Sequence, residues 1–362
     1  MVKFLNILWL NHRDPKHPLA GGAEVRIHEI GKRLVQNGHT VKLICERWSG
    51  SEKIEFLDGI EVIRIGNKYT IHLEAPLIIN RFSNCSIIID DIAHAFPWGS
   101  QFFTNKPVIG QIHHVHQNVL NFELHPALAK TLAFSERAIK YYKAVIVVSE
   151  STKKALINLG VSENRMRVIP NGIDTDFYKP MAKSSSPTIL WVGRVKRYKR
   201  VDHVLLAFSL IEKLLPDAKL IIVGTGDYIE TLKKLARKLK LKNIVFLGFV
   251  EEQEKVMLMA SSWVIVSSSF VEGWGMTITE GAACGTPAVA YDVGGLRDSV
   301  SNNETGLLVS DGNINALAQN LLRVLQDTQL RIKLGNNALI RAKHFGWNKV
   351  AQDFSDFLEL TK

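Results

Sequence analysis

Short runs of apolar residues recur along the chain at intervals of roughly 20 to 30 residues, with helical patterns between several of them. In one such pattern, from Glu24 to Asn37, Ile27, Ile30 and Leu34 share a face, and Gly38 follows where a helix end favours a left-handed residue. The alternation of strand and helix predicts a mostly parallel sheet covered on both sides. The strands predicted in the first half are Phe4 to Leu10, Val41 to Ile44, Glu61 to Ile65, Ile87 to Ile89, Val108 to Ile112 and Val145 to Val148.

The alternation is interrupted once, by a stretch rich in serine and proline. Lys179-Pro180 and Ser184-Ser185-Ser186-Pro187 lie in this stretch, so we predict an N-terminal domain over residues 1–180 and a C-terminal domain over 181–346. Both domains are expected to be doubly wound α/β sheets, with their ligand-binding strand ends on either side of a shared cleft. The strands predicted in the second domain are Thr188 to Val192, Leu220 to Val223, Ile244 to Leu247, Val264 to Val266, Ala288 to Ala290 and Leu307 to Val309.

Composition supports an ordinary folded chain. Its 362 residues are 46% hydrophobic and 22% charged, which excludes global disorder and suits two domains. No apolar run reaches the length of roughly 18 to 20 residues that a membrane span requires, and Val2 to Leu10 is interpreted as a first strand and not a signal peptide. The three cysteines, Cys45, Cys85 and Cys284, are far apart and indicate neither a disulfide framework nor a metal cluster. We therefore expect a cytoplasmic protein.

The net charge of +10 raises the question of an anionic partner. Residues 1–180 hold 22 Lys and Arg against 17 Asp and Glu, and the remainder holds 23 against 18, so the charge is evenly spread. The densest cluster, Lys233 to Lys240, alternates with leucines at helical spacing and is either a solvated cationic face or a contact for anionic lipid headgroups. Nucleic-acid binding is not expected, because no basic strip is interleaved with aromatic residues.

Two glycine-containing segments follow predicted strands. Gly21-Gly22-Ala23-Glu24 opens the first helix, where backbone N–H groups approach an anion, although a tight turn with an acidic first-turn residue explains it as well. Gly193-Arg194, followed by Lys199, places cations at the ligand end of the second sheet, where they would neutralise a diphosphate. The alternative is a solvated basic loop.

The densest motif runs from Phe270 to Gly281. Glu272 and Glu280 are separated by seven residues, and a helix starting near Gly275 or Met276 would direct its free N–H groups at an anion. Glu280, just over one turn into that helix, would accept hydrogen bonds from a sugar diol. The alternative is a capping arrangement with two surface acids.

The order and spacing of these motifs resemble the family-4 retaining glycosyltransferases along nearly the whole chain. The resemblance also includes Val168-Ile169-Pro170-Asn171-Gly172-Ile173-Asp174 and Gly281-Ala282-Ala283-Cys284-Gly285-Thr286-Pro287. It implies two Rossmann-like domains of the GT-B type, with a nucleotide-sugar donor on the C-terminal domain and the acceptor on the N-terminal one. It further implies that residues 347–362 form a helix that crosses back to the first domain.

Roles follow from the resemblance residue by residue. Arg194 and Lys199 would bind the donor diphosphate, Glu280 the ribose hydroxyls, and Glu272 the transferred hexose. Near the hexose the family also has a histidine after an N-domain strand, for which His113 is the first choice and His114 the second. The remaining donor contacts would come from Gly21, Gly22, Val250, Gly275, Met276 and Thr277.

The chain departs from the family pattern at three places. Arg200 stands where glycine is common, Trp274 replaces a usual phenylalanine, and His113-His114 replaces a histidine-acid pair. Asp174-Thr175-Asp176 matches the Asp-x-Asp of metal-dependent transferases of another fold, but its place in the interdomain stretch indicates a structural role. We therefore expect no cofactor and no obligatory metal.

The sequence thus predicts a metal-independent retaining transferase that moves a hexose from a nucleoside-diphosphate sugar, of the UDP-glucose or GDP-mannose type, to an acceptor hydroxyl. A lipid-linked glycan or polysaccharide precursor, reached by peripheral contact with an anionic membrane, is the expected acceptor. The alternatives are a nucleotide-sugar epimerase or hydrolase of the same architecture, and a catalytically silent nucleotide-sugar-binding subunit.

Overall fold

The computed structural model describes residues 4–93, 96–116 and 119–361. They form two compact units, one of residues 1–172 together with 347–362 and one of residues 173–346. The boundary lies eight residues before the predicted one at 180, because Ile173 and Tyr178 are buried in a hydrophobic cluster of the second unit.

The first unit contains an eight-stranded sheet in the order β3-β4-β2-β1-β5-β6-β7-β8. All neighbours are parallel except β3 and β4, which form an antiparallel pair. The strands are β1 (Asn6–Leu10), β2 (Thr40–Glu46), β3 (Ile54–Leu57), β4 (Ile60–Ile65), β5 (Ile87–Ile92), β6 (Val108–Ile112), β7 (Ala144–Val147) and β8 (Met166–Val168). The helices are α1 (Gly22–Gln36), α2 (Ile71–Ile78), α3 (Leu120–Glu123), α4 (Pro126–Ser135) and α5 (Glu150–Asn158).

The second unit contains a fully parallel six-stranded sheet in the order β11-β10-β9-β12-β13-β14. Its strands are β9 (Thr188–Val192), β10 (Lys219–Val223), β11 (Ile244–Gly248), β12 (Val264–Ser267), β13 (Ala288–Tyr291) and β14 (Gly306–Val309). Its helices are α6 (Val201–Leu214), α7 (Ile229–Lys238), α8 (Glu252–Ser261), α9 (Met276–Ala283), α10 (Gly294–Ser299), α11 (Ile314–Gln326) and α12 (Thr328–Ala342). The predicted α/β class is confirmed in both units.

The last helix, α13 (Trp347–Leu360), belongs to the first unit and contacts α1. The ring of Phe354 stacks on that of Trp9 with centroids 5.2 Å apart, and Arg33 Nε donates to Asn348 Oδ1 over 2.7 Å. The periodic face of α1 predicted from Ile27 and its partners is buried. These contacts anchor the C-terminal segment to the first sheet.

Each sheet reverses its strand order once. In the first unit the chain proceeds outward from β1 and returns to place β5 on the other side of β1, and in the second unit β9 and β12 are related in the same way. Ligands of open α/β sheets bind outside the carboxyl ends of the strands at such switch points. The segments after β9 and β12 are therefore the first place to look for a site in the second unit.

Candidate functional site

The loop after β9 is held by a close approach to the loop after β10. The Val195 amide donates to the Thr225 carbonyl over 2.8 Å. A Cβ atom at Gly224 would lie 1.8 Å from the Gly193 carbonyl oxygen, and one at Gly226 would lie 2.1 Å from the Val195 carbonyl oxygen. Only glycine permits this packing. The Gly-Thr-Gly sequence therefore fixes the course of the loop that carries Arg194 and Lys199.

Lys199 and Glu272 meet at the switch point. Lys199 Nζ lies 2.5 Å from Glu272 Oε1, and Ser269 Oγ donates to the same oxygen over 2.7 Å. Burial is the largest effect and acts to lower the pKa of Lys199, but Glu272 and Tyr198 together outweigh it, and the pKa is raised. Arg194 is exposed nearby, and its charge acts to lower the pKa of Lys199. The structure thus presents one half-buried and one exposed cation, with a carboxylate fixed through one oxygen.

The β9 and β12 loops are joined by backbone contacts. Ser268 Oγ contacts the carbonyl oxygens of Lys199 and Arg200 at 2.9 and 2.7 Å. Arg200 has a φ of 50°, in the left-handed region where L-residues are strained, which gives a physical reason for the glycine common at this position in the family. Its guanidinium pairs with Asp311 at 2.5 Å and lies 4.6 Å from the centre of the Phe270 ring. These contacts offset the strain.

Glycines also shape the segment between Glu272 and α9. Gly275 has a φ of 86° and precedes the first residue of α9, as the sequence predicts for the helix start. The Gly295 amide donates to the Glu272 carbonyl over 2.8 Å, and a Cβ atom at Gly295 would lie 2.2 Å from the Gly273 carbonyl oxygen. The backbone of α10 therefore packs directly against the loop that carries Glu272. The first amides of α9, those of Met276 and Thr277, have no acceptor one turn earlier in the helix and can meet an anion.

Glu280 lies deeper in the unit than the sequence suggests. Only 6% of its surface is exposed, and Lys255 Nζ lies 3.2 Å from Oε2. Lys255 also lies 2.6 Å from Glu252, whose carboxylate accepts a hydrogen bond from the Tyr178 hydroxyl. Burial raises the pKa of Glu280, and Lys255 opposes that rise. Glu280 is therefore a buried, paired carboxylate rather than an open one.

Val250 lies close to this second cluster of polar side chains. It is half-buried, follows β11, and packs against the hydrophobic cluster that contains Tyr178. Glu252 begins α8 two residues later, and α8 contacts α9, the helix of Glu280. The second unit therefore groups Val250 with Glu280 and Lys255.

The first unit places His113 at the end of β6. His113 Nε2 lies 2.7 Å from Asp91 Oδ1, and Gln111 donates to the other oxygen of Asp91. Gln111 in turn accepts from Arg26 Nε at 3.3 Å, and Arg26 Nη1 donates to Asn171 Oδ1 over 3.0 Å. Full burial lowers the pKa of Arg26 to about 10, and Asp91 opposes this effect. The acidic partner that an adjacent histidine-acid pair would supply comes here from the neighbouring strand.

The other predicted residues of the first unit lie at helix and strand ends. Gly21 and Gly22 start α1, and the Gly21 amide donates to Glu24 Oε2 over 2.7 Å, so Glu24 caps the helix. His114 packs its ring against that of His116 with centroids 3.9 Å apart, and His116 pairs with Glu136. His113 therefore contacts a carboxylate and His114 contacts a histidine ring, and the choice of His113 as the hexose-binding histidine stays a prediction.

Residues 4–93, 96–116 and 119–361 contain no group of three or more His, Cys, Asp or Glu side chains arranged to hold a metal ion. Asp174 Oδ1 accepts the amides of Asp176 and Phe177 at 2.9 and 3.0 Å, so this aspartate closes a turn. Within the same residues no helix combines the length and apolarity that crossing a bilayer demands.

Sequence reasoning missed the residues that support the predicted ones. Asp91, Ser269 and Lys255 contact His113, Glu272 and Glu280 respectively. A weak signal existed for Asp91, since an acid at the end of an isoleucine run is unusual in a buried strand. The sequence gives no such indication for Lys255, because a lysine in a polar helical pattern is expected to face solvent.

Comparison with known proteins gives a consistent result. The model of Glycosyltransferase Family 4 matches residues 20–177, and that of Glycosyl transferases group 1 matches residues 173–341. An uncharacterized glycosyltransferase of Methanocaldococcus jannaschii is 26% identical, over 92% of this chain and 93% of its own length. The D-inositol 3-phosphate glycosyltransferase of Corynebacterium aurimucosum is 25% identical, over 92% of this chain and 89% of its own length.

Solved structures share the fold. The sucrose-phosphate synthase of Thermosynechococcus elongatus has a TM-score of 0.83 at 23% identity and covers 98% of both chains. The Anabaena protein HepE, solved in complex with UDP-glucose, has a TM-score of 0.77 at 21% identity and covers 98% of this chain and 99% of its own.

Proposed function

We propose, on the premise that the chain belongs to the family 4 and group 1 glycosyltransferases, that it moves a hexose from a nucleoside-diphosphate sugar to an acceptor hydroxyl with retention at the anomeric carbon. The observation that carries the proposal is the Lys199–Glu272–Ser269 cluster at the switch point of the second sheet. The cluster combines the positive charge that a leaving diphosphate needs with a fixed carboxylate that can bind a sugar.

The diphosphate would be held by three kinds of donor. Arg194 grips phosphate oxygens with a planar fork of N–H groups, and Lys199 adds a charge that its raised pKa keeps in place at neutral pH. The amides of Met276 and Thr277 add the positive end of the α9 dipole. Because these groups already supply positive charge, we propose that transfer needs no metal ion and no cofactor.

Glu272 would orient the hexose. Lys199 and Ser269 both contact its Oε1, which leaves Oε2 to accept a hydrogen bond from a hexose hydroxyl. We propose that His113, whose Nε2 is held by Asp91, also contributes to hexose binding. Gly21 and Gly22, at the start of α1, would approach the diphosphate through their backbone.

The nucleoside would lie beside Val250 and Glu280. The ribose hydroxyls would donate to Glu280, and Lys255 would remain its counter-ion, so that the buried carboxylate stays charged. The Val250 segment, directly after β11, would contact the base.

The reaction that suits these groups occurs on one face of the sugar. The bond from the anomeric carbon to the phosphate oxygen breaks, and its electron pair goes to the diphosphate. The acceptor oxygen forms the new bond on the same face, and its proton goes to the departing phosphate oxygen. The cations lower the barrier by stabilising the charge that develops on that oxygen.

The proposed donor and acceptor are supported by similar proteins. We propose a donor of the UDP-glucose or GDP-mannose type, and HepE, a protein of the same fold, was solved with UDP-glucose. For the acceptor we propose a lipid-linked glycan or polysaccharide precursor. A relative is named for D-inositol 3-phosphate, so small phosphorylated polyols belong in the acceptor panel.

Calorimetric binding of UDP, GDP, ADP and their hexose conjugates tests the donor site. Wild-type protein is expected to prefer one nucleotide, and Glu280→Ala to weaken it, whereas Glu254→Ala, an exposed acid on the neighbouring helix, serves as the matched control. Glu272→Ala is expected to abolish transfer while nucleotide binding survives. Unchanged turnover in that variant, or an absence of nucleotide binding in wild type, contradicts the proposal.

Product analysis separates the alternatives. Sugar released or isomerised without any acceptor would indicate a hydrolase or an epimerase. Donor binding without turnover in every acceptor mixture would indicate a silent subunit.

A further inference from the structure

A cluster of exposed aromatic rings lies on the first unit, away from the carboxyl ends of its strands. Phe102, Phe134 and Tyr141 are 63%, 68% and 55% exposed, and Phe103 is 45% exposed. Soluble surfaces carry scattered apolar side chains, but four large rings in one area require an explanation. We call these four residues, together with Arg137 and Lys140, the aromatic patch.

Direct contacts join the members of the patch in two groups, which are carried by the adjacent segments α4 and residues 136–141. The Phe102 and Tyr141 rings meet edge to face with centroids 5.9 Å apart, although they come from different segments. Arg137 lies 5.4 Å from the centre of the Phe134 ring, and Lys140 lies 5.0 Å from the centre of the Tyr141 ring. In each group a cation therefore lies against an exposed aromatic ring.

The two chain segments that carry the patch are predominantly basic. Residues 124–143 contain four cations, Lys130, Arg137, Lys140 and Lys143, all of them exposed. Their single acid, Glu136, is buried and accepts the His116 amide over 2.7 Å. Residues 96–106 contain one lysine and no acid. The surface therefore presents apolar rings within a field of positive charge.

This combination matches the interfacial region of an anionic bilayer. Aromatic rings favour the boundary between headgroups and acyl chains, and lysine and arginine favour anionic headgroups. By contrast, the basic helix α7 buries Leu232 and contains no aromatic residue, so its exposed cations offer electrostatic attraction without an inserting ring.

We propose that the aromatic patch binds the surface of an anionic lipid bilayer, with Phe102, Phe134 and Tyr141 entering the headgroup region and Arg137 and Lys140 pairing with lipid phosphates. This binding does not rest on the proposed transfer reaction. It goes beyond that reaction by assigning the membrane-facing surface to the first unit.

Vesicle co-sedimentation tests the proposal. The full chain is expected to bind vesicles of phosphatidylglycerol and phosphatidylcholine and to remain unbound with phosphatidylcholine alone. Arg137→Gln combined with Lys140→Gln should weaken binding by roughly 20- to 30-fold, from about fivefold for each cation. Replacing Phe102, Phe134 and Tyr141 by serine should abolish the binding that persists at high salt.

Matched controls separate this surface from general electrostatics. Arg237→Gln combined with Lys238→Gln removes the same charge from α7, and Phe56→Ser removes a ring that is 69% exposed on β3. Both controls should bind like wild type. Equal loss in the α7 variant, or no binding by wild type, overturns the proposal. The proposal is also overturned if wild type self-associates in the absence of lipid and the serine variant does not, because the partner of the patch would then be a second copy of the chain. Nucleotide binding by each variant, measured by calorimetry, reports separately on the transferase site.

Discussion

Gly295 offers a direct test of how the Glu272 loop is positioned. Gly295 is the second residue of α10 and has no positive φ, so alanine suits its backbone and should stabilise a helix by about 1 kcal/mol. The packing around Gly295 predicts instead that alanine destabilises the protein. An alanine Cβ would lie 2.2 Å from the Gly273 oxygen, 2.3 Å from the Gly273 carbonyl carbon and 2.4 Å from the Trp274 nitrogen.

The size of the effect follows from these distances. Ordinary contacts begin near 3.4 Å, so Gly295→Ala must displace the loop by about 1 Å, and backbone cannot yield as a flexible side chain does. A displacement of about 1 Å at a catalytic group reduces turnover roughly 100-fold, or about 2.7 kcal/mol in the activation barrier. Glu280, the proposed ribose-binding residue, lies on α9, so nucleotide affinity should change far less.

The assay is release of the nucleoside diphosphate from the preferred donor, with donor affinity measured by calorimetry and stability by thermal unfolding. Gly346→Ala is the matched control, because its backbone has a φ of −57° and its new Cβ would lie 4.0 Å from the Lys343 carbonyl oxygen. A Gly295→Ala protein with full turnover and a raised Tm would refute the argument that this contact fixes the loop.

Three further predictions concern single contacts. Ser269→Ala should lower kcat roughly tenfold with donor affinity unchanged, because a hydrogen bond to the Glu272 carboxylate is lost. Ser269→Thr, which keeps the hydroxyl group, should restore kcat. Equal kinetics in wild type and both variants would contradict this prediction. The Arg200→Gly protein should be more stable to urea than the Arg200→Ala protein by about 1 kcal/mol. Both variants lose the ion pair with Asp311, and only glycine relieves the strain of the positive φ. Equal urea midpoints for the two variants would show that Arg200 is not strained. Burial raises the pKa of Asp90 from 3.8 to about 6, so the stability that this carboxyl contributes falls as the pH rises from about 4 to about 6. The stability of the Asp90→Asn protein relative to wild type should therefore be more favourable at pH 7 than at pH 4.

Elements of the fold that rest on local patterns could be predicted from the sequence. The apolar runs at β1 and β9 and the periodic face of α1 were found at their observed positions. The edge strands β3 and β8 were missed, because Ile54–Leu57 is short and half-exposed and Met166–Val168 has only three residues. Edge strands are defined by pairing with a neighbour, and sequence patterns show burial and not pairing.

Some residues of the candidate site could likewise be predicted from the sequence, and others could not. Residues at the ends of strands, such as Arg194 and Glu272, follow from their position after an apolar run. Their partners do not, because Lys199 meets Glu272 across 73 positions of sequence and His113 meets Asp91 across 22. Strand order creates these pairs, so only the folded sheet reveals them.

The Lys199–Glu272 pair explains how a half-buried lysine keeps its charge before a ligand binds. A lysine taken out of water tends to lose its proton, and the exposed Arg194 adds to that tendency. Glu272, together with Tyr198, reverses it, so Lys199 is already charged and positioned before a diphosphate arrives. Because the charge is in place, little reorganisation is needed when the leaving group develops negative charge. We therefore propose two functions for Glu272, orienting the sugar and helping to maintain the lysine charge. Glu272→Gln should therefore lower the pKa of Lys199 and make diphosphate binding weaken at a lower pH than in wild type.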